Sequence, residues 1–470
     1  MSPPPVPTAD FPKGKPAVPV QQVHRWVAAF LTALHQRGLY PAGHPAATQA
    51  LAEVENDLHR ILEENDALQL AIIGDRVLFP SYPVDGQELH LEGGLKDLRN
   101  RGIEHLAFRQ GVPRAEIEAL FDLLLAPRCG GEIDDLQAAL ADAGVHHIRI
   151  GRLAADDDDG HSAGDGQFAK RLYQRALGTI EELHRIITEN RTVPVDRARE
   201  IVDAVVQDHR QGGQLQALTW LKSHDDYTYT HVLNVCILTV AQARTLGMPE
   251  GQLNAVGVAA LLHDTGKCFV PPELIRKPGK LTPEEFHIVK AHPVLGAQLL
   301  RTIPHVDDLT VLVAYEHHVR FAGGGYPAQA HRRPLNLISR MCTIADYYDA
   351  LRTIRSYKSE ITPDEALRIM SQGAGTILDP TLFKHFVNMV GPYPSGCLVE
   401  LSDGTLAVVV TTHAGFPMRP TVRTILDGEG NPLPNPMLFD LRSGQQRNPP
   451  LEIRRAVDPN QVAVAAEDYL

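Results

Sequence analysis

Leu261-Leu262-His263-Asp264-Thr265-Gly266-Lys267 closes a run of small apolar residues that begins near Leu253. An imidazole beside a carboxylate is an economical way to hold a hard or borderline divalent metal, because one offers a neutral nitrogen and the other a charged oxygen. The pair alone carries little, since His-Asp arises by chance in many chains. Its company carries more: His231 precedes it, and His292, the doublet His317-His318 and Asp346 follow.

Each candidate has a predicted setting. His231 opens an apolar helix carrying Val232, Val235, Cys236, Thr239 and Val240, and His263 and Asp264 end the next helix. His292, just before Pro293, falls late on a helix started by Thr282. His317-His318 ends a helix over Leu309–Tyr315, before a Gly-rich loop, and Asp346 shares a helix with Ile338, Met341, Cys342 and Ala345. Singly, each has a plainer reading. A lone His on an apolar helix is usually a satisfied core residue, a helix-end His complements the dipole, and Asp346 would be a surface acid. Together they would be costly to bury unpaired, and a shared metal would satisfy them.

The 470 residues allow two to four domains at roughly 100–200 residues each. An apolar share of 43% is ordinary for a chain that buries real cores. The net charge of −12 argues against a nucleic-acid polymer as partner, though not against an anionic substrate, because bound metal reverses the local field. The five cysteines show no CxxC spacing. With no signal-like N-terminus and no apolar run near about 18–20 residues, the expectation is a reduced cytoplasmic protein without membrane insertion.

The expected architecture is multidomain: an N-terminal α+β domain, a central all-α domain and a small C-terminal all-β module. Residues 1–20, with Pro3-Pro4-Pro5, read as a disordered leader. Residues 21–153 combine a helical stripe of Trp26, Phe30 and Leu34, a helix at Ala46–Glu63 and a hairpin of Leu68–Ile73 with Val77–Pro80. A helix around Leu95–Arg101, a strand at His105–Phe108, a helix at Arg114–Leu124 and a closing helix and strand within Leu136–Ile150 complete it. No catalytic side chains cluster there, and His146-His147 reads as an exposed pair, so this is a regulatory or dimerising domain, and a homodimer stays open. Residues 154–167, with Asp156-Asp157-Asp158-Asp159-Gly160, lack the alternating ligands of a calcium loop and read as a solvated acidic linker.

Residues 168–394 are expected to be almost wholly helical. Thr282-Pro283-Glu284-Glu285 offers an N-cap hydroxyl, a first-turn proline and a Glu at the third position, and Thr362-Pro363-Asp364-Glu365 repeats the device. Residues 395–470 read as a β module, with a hairpin of Cys397–Leu401 and Leu406–Thr411 and short strands at Thr421–Leu426 and Pro436–Leu441.

From about Leu218 to Val390 the ordered motifs resemble the HD-GYP family, a branch of the HD metal-dependent phosphohydrolases. They are Tyr227-Thr228-Tyr229-Thr230-His231, His263-Asp264-Thr265-Gly266-Lys267, Lys277-Pro278-Gly279-Lys280-Leu281-Thr282, His292-Pro293 with Gly296, His317-His318, Gly323-Gly324-Gly325-Tyr326-Pro327, Ala345-Asp346-Tyr347-Tyr348-Asp349-Ala350-Leu351, and Asp379-Pro380. The resemblance implies a five-helix core and two, sometimes three, divalent ions, usually iron or manganese. By position, His231, His263, Asp264, His292, His317, His318 and Asp346 match the metal ligands, with Asp264 as the bridge. Tyr227 stands where three-metal members carry a Glu one helical turn before the first His, so two ions are expected.

Two ions about 3.5–4 Å apart clamp a phosphodiester and acidify a water, and the resulting hydroxide attacks phosphorus in line. Asp264 and Lys267 are the expected catalytic residues, with Lys267, Asp349, Arg355 and Lys358 toward the substrate. The resemblance implies a bacterial signalling hydrolase that opens cyclic di-GMP to pGpG and sometimes on to GMP. Some members take cyclic GMP–AMP instead, and some meet diguanylate cyclase domains through the GYP loop (here Gly323, Gly325, Tyr326 and Pro327).

The chain departs from the family signature at two carboxylates. Val319 replaces the Glu after the His doublet, and Ala322 replaces the Asp that opens the loop. Neither matches a metal ligand, so the centre is expected to assemble, with support around it weakened; losing such support costs about 10–100-fold. An enzyme is therefore the leading expectation, and a weak or inactive cyclic di-GMP sensor or scaffold is the alternative. A mononucleotide phosphohydrolase would keep the His-Asp site but leave the GYP loop without purpose.

Overall fold

The computed structural model describes residues 20–40, 43–73, 76–79, 88–90, 95, 98, 101–126, 133–151, 165–190, 192–210, 219, 227–277, 279–328, 330, 334–352, 361–413, 416–443, 450–458, 462 and 469. The chain divides into two compact units. One comprises Asp10–Leu153 with Arg244–Pro249, the other Ala154–Ala243 and Glu250–Leu470 together with Met1–Ala9.

In the N-terminal unit, α1 (Val20–Leu39) and α2 (Pro45–Glu63) precede a five-stranded antiparallel sheet, β1 (Ala67–Ile73), β2 (Arg76–Leu78), β3 (Glu88–His90), β4 (His105–Arg109) and β5 (Ile148–Gly151), in the order β3-β2-β1-β4-β5. Helices α3 (Arg114–Leu125) and α4 (Ile133–Asp142) lie between β4 and β5 in the chain. The stripe Trp26, Phe30 and Leu34 is buried, and Trp26 and Phe30 meet Phe108 edge-on at 5.1 and 6.0 Å between ring centres. Trp26 donates its indole N–H to the carbonyl of Val54 at 3.0 Å, so the largest ring of this core is buried without stranding its polar atom. The expected hairpin pairs Ile73 with Arg76. Strand β3 has no counterpart among the sequence expectations. Of the expected helix at Leu95–Arg101 only Leu95, Leu98 and Arg101 are among the described residues, and Leu95 and Leu98 are buried. His147 sits against Glu116, whose carboxylate meets its ring Nδ1 and accepts from its backbone N–H, each at 2.8 Å.

The second unit begins with α5 (Asp165–Asn190) and α6 (Val195–Arg210); α5 starts inside the stretch expected to be linker. Then come α7 (Tyr227–Thr245), α8 (Glu250–Leu261), a 3-10 turn (Thr265–Phe269), α9 (Pro272–Ile275), α10 (Pro283–Val289), α11 (His292–Thr302), α12 (Asp308–Glu316), α13 (Leu337–Arg352), α14 (Pro363–Ser371) and α15 (Pro380–Val390). Helices α7, α8 and α13 are buried on most of their faces, which is why their apolar residues run continuously and do not form a stripe. Gly257 on α8 lets α6 approach, since a Cβ there would lie 2.4 Å from Val202. Among the described residues no helix is long and apolar enough to cross a membrane.

The two capping expectations part ways. At Thr282 the box closes: its hydroxyl accepts from the N–H of Glu285 at 3.3 Å, and the Glu285 carboxylate accepts from the N–H of Thr282 at 2.8 Å. Thr362 makes no side-chain cap bond, and the Glu365 side chain pairs with Arg368 at 3.3 Å.

The C-terminal part is an all-β sheet of β6 (Leu398–Leu401), β7 (Leu406–Thr411), β8 (Thr421–Leu426), β9 (Leu438–Asp440) and β10 (Ile453–Ala456), ordered β10-β6-β7-β8-β9 with every pairing antiparallel. Val399, Leu401, Ala407, Val409 and Val422 line a core on one face, and Leu398, Val408 and Ile425 line a second.

Candidate metal centre

A backbone crossing sets the site. The turn after α8 passes so close to α11 that a Cβ on Gly266 would lie 1.9 Å from the carbonyl oxygen of His292 and 2.6 Å from the nitrogen of Gly296. Only glycine fits on both sides, and the contact holds His263 and Asp264 against His292. His292 is not late on the helix started by Thr282. That helix stops at Val289, and His292 opens α11 with Pro293 in its first turn. Proline in a first turn forfeits no intrahelical N–H bond, whereas inside a continuing helix it would, so Pro293 marks a helix start where the sequence reading continued one.

The seven matched residues converge. Asp264 Oδ1 lies 3.3 Å from His292 Nε2 and 3.7 Å from His317 Nε2, while Oδ2 lies 3.4 Å from His263 Nε2 and 3.8 Å from His231 Nε2. His231 Nε2 is 3.1 Å from Asp346 Oδ1, and His318 Nδ1 is 3.9 Å from Asp346 Oδ2. These side chains form two groups able to hold an ion each: Asp264, His292, His317 and His318, and His231, His263 and Asp346.

The rings are aimed from behind. Nδ1 of His263 binds the carbonyl of Ala260 at 2.6 Å, that of His292 the carbonyl of Val289 at 2.8 Å, and that of His317 the carbonyl of Ala314 at 3.0 Å. A carbonyl only accepts, so each Nδ1 carries the proton and each Nε2 turns its lone pair to the centre. Nε2 of His263 and Oδ1 of Asp264 are buried with no hydrogen-bond partner among the described residues. Buried polar atoms are rarely left so, and imidazole and carboxylate atoms in this array suit a divalent cation.

The charges agree with that use. Burial pushes His317 down to about 4, and burial with the neighbouring His317 pushes His318 well below the usual range, so both stay neutral and able to ligate. Burial would raise the Asp264 carboxyl, but the Lys267 ammonium and His263 hold it well below the usual carboxylate range. His231 is the exception: burial opposes its charge, yet Asp346 and Asp349 together raise it well above its ordinary value and favour its protonated form, a proton that a cation between Nε2 and Asp346 would replace.

Lys267 sits on Asp264 Oδ2, with about a quarter of its side chain exposed. Asp349, expected toward the substrate, is placed otherwise. It is buried behind His231, with Oδ2 on His231 Nδ1 at 2.7 Å and Oδ1 taking the Asn234 amide N–H at 2.8 Å. Its position one turn after Asp346 on α13 gives the reason: the two acids share a helix face and grip opposite nitrogens of one ring. Arg355 and Lys358 lie outside the described residues, as does the side chain of Tyr227. Asn234 is a site residue the sequence reading missed; its spacing of three from His231 on α7 is the signal that would have found it.

The GYP loop closes one side. Gly323, Gly324 and Gly325 have φ of +98°, +85° and +80°, and a Cβ on Gly325 would lie 2.3 Å from the carbonyl oxygen of His318. The Tyr326 ring lies 4.6 Å, centre to centre, from that of His318. Val319 is buried, and the loop is braced by main chain: Phe321 N–H donates to Ile377 at 3.0 Å and Ala322 N–H to Thr376 at 2.9 Å. Arg340 reaches Asp379 at 2.5 Å in the interior, and Asp379 also accepts from the N–H groups of Thr381 and Leu382 to start α15.

Comparison with known proteins matches residues 219–382 to an HD domain and residues 398–465 to a KOW domain associated with the HD domain. A cyclic di-GMP phosphodiesterase of Pseudomonas aeruginosa is 35% identical over 296 residues, 63% of this chain and 70% of that protein. The cyclic di-GMP phosphodiesterase response regulator RpfG of Xanthomonas campestris pv. campestris is 29% identical over 297 residues, 61% of this chain and 72% of its own length. A 3'3'-cGAMP-specific phosphodiesterase of Vibrio cholerae serotype O1 is 35% identical over 157 residues, 33% of this chain and 34% of its own. With the His-Asp array gathered as described and the first of these relatives matched over most of its length, the chain belongs to the HD-GYP family.

Proposed function

We propose that this protein is a metal-dependent phosphodiesterase that hydrolyses cyclic di-GMP to linear pGpG, with two divalent ions, iron or manganese, held by His231, His263, Asp264, His292, His317, His318 and Asp346. The observation that carries the two-ion reading is the division of Asp264. One oxygen faces His292 and His317, the other His263 and His231. The substrate class rests on the relatives, which are named for cyclic di-GMP or for 3'3'-cGAMP.

Bound there, two divalent ions would neutralise the phosphodiester and acidify a water towards neutrality. The protein's own residues do the positioning. Asp264 keeps its charge in the interior because Lys267 and His263 stand beside it. Lys267, about a quarter exposed, offers its ammonium to a phosphoryl oxygen or to the departing ribose oxygen. Asp349 and the main-chain carbonyls fix the ring orientations, so the ligands need little rearrangement on binding. Tyr326 walls the centre beside His318, and exposed Ala322, Gly323 and Gly324 are the surface offered to a diguanylate cyclase domain.

The test is chromatography of cyclic di-GMP incubated with protein purified without chelator and supplied with Mn²⁺ or Fe²⁺. Appearance of pGpG, abolished by chelation, is the expected result. A second reading, a sensor that binds without turnover, is favoured by Val319 and Ala322 alone, and metal-loaded protein that binds the dinucleotide unchanged would establish it. The main-chain bracing of the loop speaks for the enzyme, since the loop's shape does not depend on the two missing carboxylates.

A further inference from the structure

Behind His231 a hydrogen-bonded series leaves the metal centre and reaches an element that supplies none of its ligands. Asp349 Oδ2 holds His231 Nδ1 at 2.7 Å, Asn234 Nδ2 holds Asp349 Oδ1 at 2.8 Å, and the Tyr173 hydroxyl on α5 meets Asn234 Oδ1 at 2.7 Å. Tyr173, Asn234 and Asp349 are all buried.

The direction of each bond follows from its neighbour. A carboxylate only accepts, so Asn234 must turn its amide N–H to Asp349 and its carbonyl oxygen to Tyr173. Tyr173 must therefore donate. The same carboxylate accepts from His231 Nδ1, which places a proton there and leaves Nε2, 3.1 Å from Asp346 Oδ1, as the nitrogen turned to the centre. Burial and the nearby Asp349 raise the Tyr173 phenol, which keeps it a donor.

We infer that Tyr173 is a positioning residue for the metal centre, acting through Asn234 and Asp349 to hold His231 in its ligating orientation. Without its hydroxyl, the buried Asn234 carbonyl loses its partner and the amide is free to rotate, withdrawing the bond that fixes Asp349. This rests on the reading of His231 as a metal ligand.

The test is Mn²⁺ affinity, measured by calorimetry on the full chain for wild type, Tyr173→Phe, Asp349→Asn and the double variant. Asn234→Leu serves as a second route to the same loss should Tyr173→Phe fold poorly. Tyr173→Phe is expected to weaken Mn²⁺ binding about tenfold, the lower end for supporting residues. The double variant should bind no more weakly than Asp349→Asn alone, because both act on one path. Affinity within about twofold of wild type for both Tyr173→Phe and Asn234→Leu, or losses that simply add in the double variant, would overturn the inference while leaving the metal site standing. Wild-type protein that takes up no Mn²⁺ would overturn both.

Discussion

Gly266 and Gly296 meet backbone to backbone: a Cβ on Gly296 would lie 2.8 Å from the Gly266 nitrogen, and one on Gly266 still closer to α11. The glycine of the His-Asp turn and the glycine one turn after His292 are thus two halves of one contact. That contact brings the two ligand segments together.

Gly266→Ala is therefore expected to separate the segments. The clash is with main chain, which cannot rotate away, so the cost is expected at about 3 kcal/mol. Denaturant unfolding should show that loss, and metal analysis should show the variant depleted. Unchanged stability with full metal occupancy would mean the crossing is looser than described.

Lys267→Met removes the ammonium that rests on Asp264 while keeping a side chain of similar length. Turnover is expected to fall about 100-fold, the scale for losing one charge-stabilising donor, with metal content preserved. Steady-state kinetics on metal-quantified protein checks this; a fall in metal matching the fall in rate would place Lys267 in site assembly instead.

Asp379→Ala breaks the buried pair with Arg340 and the cap of α15 together. An uncompensated buried charge costs about 3–5 kcal/mol. Chemical denaturation should show a loss of that size, and one below about 1 kcal/mol would contradict the pairing.

His385 supplies a pH prediction away from the metal site. Burial lowers it to about 4. Between pH 6.5 and about 4 the unfolded chain takes up a proton there that the folded chain refuses, so stability is full above 6.5 and declines as pH falls through that window. The difference, at about 1.4 kcal/mol per unit, is roughly 3 kcal/mol. Unfolding curves from pH 7 to 4 for wild type and His385→Leu should converge by about that amount; parallel curves would contradict it.

The sequence and the fold agree where the signal is local and repeated. The stripe of Trp26, Phe30 and Leu34, the paired strands β6 and β7 and the order of the His-Asp motifs were all readable, because helix period, strand alternation and turn residues are set by neighbours in the chain. What was not readable depends on competition between partners. Glu365 could cap Thr362 or pair with Arg368, and only the fold decides. Asp349 could face the substrate or His231, and the choice is made by α7, more than a hundred residues away in sequence. The start of α11 at His292 was in principle legible from Pro293, but the apolar period runs through the break and hides it.

Asp264, with one oxygen toward each of two ligand groups, should join two ions in one centre. Elemental analysis of protein purified without chelator and reloaded with Mn²⁺ counts them. Two ions per chain are expected in the wild type and none in the His263→Ala, Asp264→Ala double variant. A single ion per chain in the wild type, or stoichiometric metal retained by the double variant, would contradict it.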